Sequence, residues 1–167
     1  RFPRIKLHLS EGASPQLEEQ LREGRMDMAL LLREGPVSNA GESLLAQVSL
    51  RLVGLRGDPV VEGPTIAFGA LQGLPLVVPS YPHSLRTRLD ALSEARGIKL
   101  DMVVEADSIR LQHEIAAAGG GYAITAGLFE LSGDNRLASA RIVEPELLRS
   151  VVLATTLRRP HTMATRE

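Results

Sequence analysis

The sequence predicts an α/β protein made of two successive lobes, and three observations predict it. A strand, helix, strand pattern occurs twice along the 167 residues, over 5–32 and again over 74–107. Between the two lies Asp58 to Pro64, with two prolines, a glycine and two acids, which reads as a crossover from one lobe to the next. Aromatic residues make up only 3% of the chain and Trp is absent, so the core is assembled from Leu, Val, Ile and Ala. Such a core suits helices layered on sheets better than a sandwich or an aromatic binding platform.

Ile5, Leu7 and Leu9 alternate with Lys6, His8 and Ser10, the period-2 pattern of a strand with one face buried. Glu11-Gly12-Ala13 turns the chain and Ser14-Pro15 starts a helix. A serine oxygen there accepts an orphan N–H of the first turn, and proline at the first helical position gives up a donor that has no partner anyway. Leu17 and Leu21 mark the buried face, Glu18 and Arg22 pair on the exposed one, and Gly24 ends the helix in the left-handed conformation. The apolar run Met28 to Leu32 reads as a strand buried on both faces, as in a parallel sheet. A polar loop from Arg33 to Glu42 leads to a long strand-like run over 44–57. In the second lobe, 74–80 is a buried strand ending in a turn, and 84–97 is a helix with Leu85, Leu89 and Leu92 on one stripe and Gly97 as its stop. Residues 99–107 form the next strand. Asp107 or Ser108 caps a third helix with Leu111, Ile115 and Ala118 inward, which stops at Gly119-Gly120-Gly121 before the short strand "YAITA". Val151 to Thr155 is the final strand.

Several chemistries find no support. The 19 basic and 20 acidic residues are intermixed, for a formal charge of −1, so no concentrated positive field draws the chain to nucleic acid by itself. Without cysteine there is no disulfide, thiolate zinc site or cysteine nucleophile. The phosphate-loop patterns G-x-G-x-x-G and G-x-x-x-x-G-K-[ST] and the nucleophile elbow G-x-S-x-G do not occur, and the triple glycine follows a helix instead of preceding one. His8, His83, His113 and His161 lie far apart without metal-ligand spacing, so neither a metal nor a cofactor is expected, and nothing marks an enzyme. No apolar run approaches the roughly 20 residues of a membrane span. The N-terminus lacks signal-peptide order, and Arg1-Phe2-Pro3 without an initiator Met reads as the start of a fragment.

What recurs is a small polar turn at a strand end followed by a helix start: Ala13-Ser14, then Ser80-Tyr81-Pro82-His83-Ser84. In open α/β sheets ligands bind beyond the carboxyl ends of strands, where helix N-termini present free N–H groups and partial positive charge. Two such turns could clamp a small carboxylate; equally, each could do no more than cap its own helix.

The order of motifs resembles one family. "FPRIKLHLSEGASPQLEEQLREGRMDMALLL" is similar to the first regulatory lobe of LysR-type transcriptional regulators, with Gly24, Asp27, Ala29 and Leu30 on the family's G-x-x-D-x-A-[IL] strand. "GLPLVVPSYPHSLR" looks like the opening of the second lobe, "EIAAAGGGYAITA" like its glycine-turn segment, and "LLRSVVLATTLRRPHTMATRE" like the return strand followed by R-P-x-T-x-A. Thr125-Ala126 replaces the usual Leu-Pro. The resemblance implies two Rossmann-like lobes of the type-2 periplasmic-binding-protein class, lobe I from 1–60 plus 147–167 and lobe II from 61–146, with the first strand and helix of lobe I missing. The winged helix-turn-helix and linker helix are missing as well.

By the same resemblance, an effector lies between the lobes and meets Ala13, Ser14, Leu32, Arg33, Ser80, Tyr81, His83 and Thr125 through hydrogen bonds, not catalysis. Arg33 either pairs with its carboxylate or points to solvent, and Ala13 stands where many relatives carry Thr. The expected protein is a cytoplasmic bacterial regulator, a homodimer or homotetramer, whose small anionic effector modulates DNA binding through an N-terminal helix-turn-helix outside this chain. The rival reading is an extracytoplasmic solute-binding protein of the same fold.

Overall fold

The computed structural model describes residues 6–34, 41–126 and 134–158. The Phe2-Pro3 pair, Ile5, most of the loop after Arg33, His161 and the R-P-x-T-x-A tail lie outside the described residues. The chain divides into two compact units, Arg1–Gln47 with Ser150–Glu167 and Val48–Arg149. The changes of unit fall within two strands, β2 (Glu42–Leu55) and β8 (Leu148–Thr155).

The first unit holds α1 (Ser14–Arg22) and β1 (Met28–Glu34), with β1, β8 and the start of β2 neighbouring in that order. Its core joins Leu17 and Leu21 of α1 to Ala29 and Leu31 of β1 and to Val152 and Ala154 of β8. Three expectations change here. Residues 6–10 form no strand, and Leu7 and Leu9 are 81% and 87% exposed, because alternation specifies a face only where a neighbouring strand takes up the ladder. The apolar run of β1 is buried on one face: Ala29 and Leu31 are covered by α1, while Met28 and Leu30 are exposed. Ser14 is not the cap of α1; Ala13 occupies that position in extended conformation and contributes no side-chain bond. Gly24 follows the helix with φ 71, the left-handed stop the sequence requires.

The second unit contains α2 (Pro59–Glu62), β3 (Thr65–Ala67), β4 (Pro75–Val78), α3 (Ser84–Arg96), β5 (Asp101–Glu105), α4 (Ile109–Ala117), β6 (Tyr122–Ala126) and β7 (Leu137–Val143). Asp58 to Pro64, read from sequence as a crossover, lies inside this unit, with the Asp58 carboxylate capping α2 through the Val60 N–H at 2.9 Å. β4 is parallel to β5 and to β6, β6 is antiparallel to β2 in the register Arg51↔Thr125, and β2 also pairs antiparallel with β7.

Leu85 and Leu89 bury α3 against Leu76, Val78 and Ile124 as its spacing predicts. On α4 the buried positions are Gln112 and Ala116, whereas Leu111 is 51% exposed. The expected stripe is displaced because small Ala116 lets the helix approach Val53, Ala123 and Leu137, and the Gln112 amide finds the Ala106 carbonyl at 2.5 Å. Asp58 to Glu62, Thr65 to Ala67 and Leu137 to Val143 carry elements the sequence patterns leave unmarked.

Candidate functional site

In the first unit the structure brings Ser14 and Leu32 together. The Leu32 N–H donates to Ser14 Oγ at 3.2 Å, so the hydroxyl ties the start of α1 to the end of β1. The neighbouring Ala13 carbonyl accepts from Gln16 and Leu17, closing the first helical turn with backbone alone. Arg33 shares the α1 face of β1 and is held between two carboxylates. Its Nε donates to Glu42 Oε1 at 3.1 Å, and its other nitrogens pair with Glu42 and Glu18. These bonds, Glu42 first, hold the guanidinium above its ordinary pKa. A cavity of about 600 Å³ beside it is lined by Pro15, Glu18, Arg22, Arg33, Glu42 and Arg158 among others; of the candidate residues only Arg33 borders it.

In the second unit Ser80 follows the carboxyl end of β4. Its N–H and its hydroxyl both donate to Asp107 Oδ1, at 2.9 and 2.6 Å, and these bonds, the hydroxyl's first, keep the Asp107 carboxyl below its usual range. The carbonyl of Ser80 accepts from the His83 N–H at 3.0 Å, and His83 caps α3 by accepting the Leu85 N–H at Nδ1, 3.1 Å away. Nδ1 is thereby the unprotonated ring nitrogen. Tyr81, 57% exposed, donates to Asp90, which raises the phenol pKa, and its ring stacks 4.7 Å beneath the Arg86 guanidinium.

Thr125 lies at the carboxyl end of β6, which parallels β4, so it shares one end of the sheet with the Ser80 turn. It is 3% exposed, and its Oγ1 is buried with no hydrogen-bond partner among the described residues. Buried hydroxyls are almost always satisfied. The other three candidates of this unit are engaged; Thr125 stands apart as a polar atom aimed at nothing described.

Two residues escape the sequence reading. Asp107 reads there only as a helix cap, although a strand followed by Asp-Ser is a third strand-end turn of the kind already noted in Ala13-Ser14 and Ser80. Arg149 hides inside the apolar run of the last strand, yet it is 4% exposed and its Nη2 donates to Ser84 Oγ at 3.0 Å. Among the described residues no three His, Asp or Glu side chains gather as metal ligands, and no helix is long and apolar enough to cross a membrane.

In this α/β chain, hydroxyl-bearing turns stand at the carboxyl ends of strands, the place where open α/β sheets receive ligands. Residues 1–167 match the LysR substrate binding domain throughout, and the chain belongs to that family. It is 28% identical over 123 residues to the nitrogen assimilation regulatory protein Nac of Escherichia coli K12, covering 74% of this chain and 39% of Nac. With Nac of Klebsiella aerogenes it shares 26% over 159 residues, 94% of this chain and 51% of that protein. The chain thus spans about half or less of the length of these regulators. In fold it resembles the Synechocystis PCC6803 CcmR regulatory domain in complex with 2-PG, with TM-score 0.78 at 15% identity, over 99% of this chain and 80% of that one. The BenM effector binding domain with its effector benzoate aligns with TM-score 0.71 at 18% identity, over 96% and 74%. The effector binding domain of QuiR in complex with shikimate gives 0.71 at 16%, over 93% and 74%. The fold is the type-2 periplasmic-binding-protein-like one of LysR effector-binding domains.

Proposed function

We propose that this domain is the ligand sensor of a bacterial LysR-type transcriptional regulator and that it takes a small anionic metabolite at its strand-end turns. Occupancy then biases an oligomer, dimer or tetramer, whose helix-turn-helix lies elsewhere in a cytoplasmic protein. The observation that carries the reading is the buried Thr125 hydroxyl, without a partner among the described residues, at the same sheet end as Ser80. A buried hydroxyl without a partner costs on the order of 1–3 kcal/mol, and a ligand oxygen that bonds it recovers that cost. Negative charge is favoured because α3 and α4 both begin at that end and direct their positive poles there. Benzoate and shikimate, bound by BenM and QuiR, are both carboxylates. In the first unit the Ala13-Ser14 turn and Leu32 are the positions we assign to contact; Arg33, occupied by Glu18 and Glu42, is assigned to holding that wall in place.

The test is thermal unfolding of the full-length protein with benzoate, shikimate and inorganic phosphate. At least one carboxylate raises the midpoint, as a ligand selective for the folded state must. In Thr125→Val the unliganded protein is as stable as the parent or gains about 1 kcal/mol, because an unsatisfied polar atom is gone, while the ligand-induced shift shrinks. If no probe moves the midpoint and Ser80→Ala leaves induction intact, the reading fails.

A further inference from the structure

The second unit holds an arrangement that ligand binding alone leaves unused. Nη2 of the buried Arg149 donates to Ser84 Oγ at 3.0 Å, on the first residue of α3. One turn along the same face, Arg88 Nη1 donates to the Leu148 carbonyl at 2.6 Å. The two bonds run in opposite directions, between adjacent residues of β8 and positions i and i+4 of α3. Together they fix the helix against the strand in both height and rotation. A guanidinium holds its donors in a rigid planar fork, and a charged donor screened from water makes stronger bonds than a neutral one.

At its N-terminus α3 is continuous with the Ser80–His83 turn: His83 caps it and bonds to the Ser80 carbonyl, and Asp107 holds the far side of the turn. β8 starts in the second unit at Leu148 and continues as one strand into the first unit from Ser150. Turn, helix and strand are therefore linked by direct bonds, in that order.

We propose that Arg149 is a positioning residue, with Arg88 as its second anchor, that fastens the start of β8 to α3, so that a displacement of the Ser80–His83 turn is passed to the strand running on into the other unit. The inference rests on the placement of a ligand at this turn, but its test needs no ligand.

Amide hydrogen exchange on the full-length protein, arranged as a double-mutant cycle, measures the linkage. Asp107→Asn loosens the turn. In the otherwise unaltered protein it speeds exchange at the amides of residues 150–155 by roughly threefold or more, the low end of coupling between contacting groups, and also speeds the first turn of α3. In the Arg149→Gln background, the first turn of α3 still responds to Asp107→Asn but residues 150–155 do not. Arg149→Lys, which keeps one charged donor, restores part of the response. Should Arg149→Gln fail to fold, Ser84→Ala, which removes only the hydroxyl that accepts from Arg149 and leaves the guanidinium in place, carries the cycle instead. Equal acceleration of residues 150–155 in every background means that Arg149 merely stabilises, and no acceleration in the parent means that the turn and strand are unlinked; either overturns the proposal. Failure of the ligand reading shows separately, as a melting midpoint that no carboxylate moves.

Discussion

Ser14 serves a partner 18 residues away, and its own helix starts without it. Ser14→Ala leaves the Leu32 N–H without its acceptor, and urea denaturation should record a loss of about 1–2 kcal/mol. Circular dichroism should show helix content unchanged, since α1 keeps its Ala13 cap position and Pro15; a loss of helix would mean that the hydroxyl acts as a cap after all. His113 is a second side chain with a measurable signature. Burial on α4 lowers its pKa below 6.5, against the opposing pull of Asp134 and Glu114. A base with a depressed folded-state pKa resists protonation in the native state, so the unfolded chain binds more protons as pH falls. Stability should be full above about pH 6.5 and decline as pH drops through the lower native value. His113→Gln should flatten the denaturation midpoint measured between about pH 5 and 7; an unaltered slope would assign the decline to other groups.

Among the elements, β2 and β6 approach each other closely at Gly54. A Cβ on Gly54 would lie 2.8 Å from Tyr122 Cδ1, and that ring is pinned by its hydroxyl, which donates to Asp58 at 2.6 Å. Desolvation, then the Asp58 carboxylate, pushes the phenol up to about 12. Gly54→Ala should destabilise by about 1–3 kcal/mol through overpacking. It should also lower the Tyr122 pKa in an ultraviolet titration as the ring moves toward water. The contrast between α3 and α4 explains what is legible in sequence. Leu85, Leu89 and the left-handed Gly97 (φ 62) are local signals that define α3, its face and its stop. On α4 the inward residues are Ala116 and Gln112, the latter held by the Ala106 carbonyl, and no apolar periodicity reveals such a tertiary partner. The same limit applies at the candidate site: a polar turn at Ser80 can be read from local residues, but its bond to Asp107, 27 positions on, cannot. The strand β7 goes unmarked because its pairing with β2 joins residues as distant as Arg51 and Arg141.

At the scale of the molecule, a net charge of −1 over 167 residues denies the domain the counterion release that drives phosphate binding. Residues 1–167 alone should bind duplex DNA more weakly than about 10⁻⁴ M at physiological salt, in fluorescence anisotropy, and tighter binding would reveal a basic surface the intermixed charges conceal. The division of the chain bears on how the domain is made. The second unit is one uninterrupted stretch, Val48–Arg149, whereas the first combines Arg1–Gln47 with Ser150–Glu167. Domains fold as the ribosome releases them, at about 5–20 residues per second. Leu17, Leu21, Ala29 and Leu31 are therefore synthesised several seconds ahead of Val152 and Ala154, which complete their core. For that interval the nascent chain carries a half-built first unit while the whole of the second is being made, and its uncovered leucines are the surface that a ribosome-bound chaperone would meet.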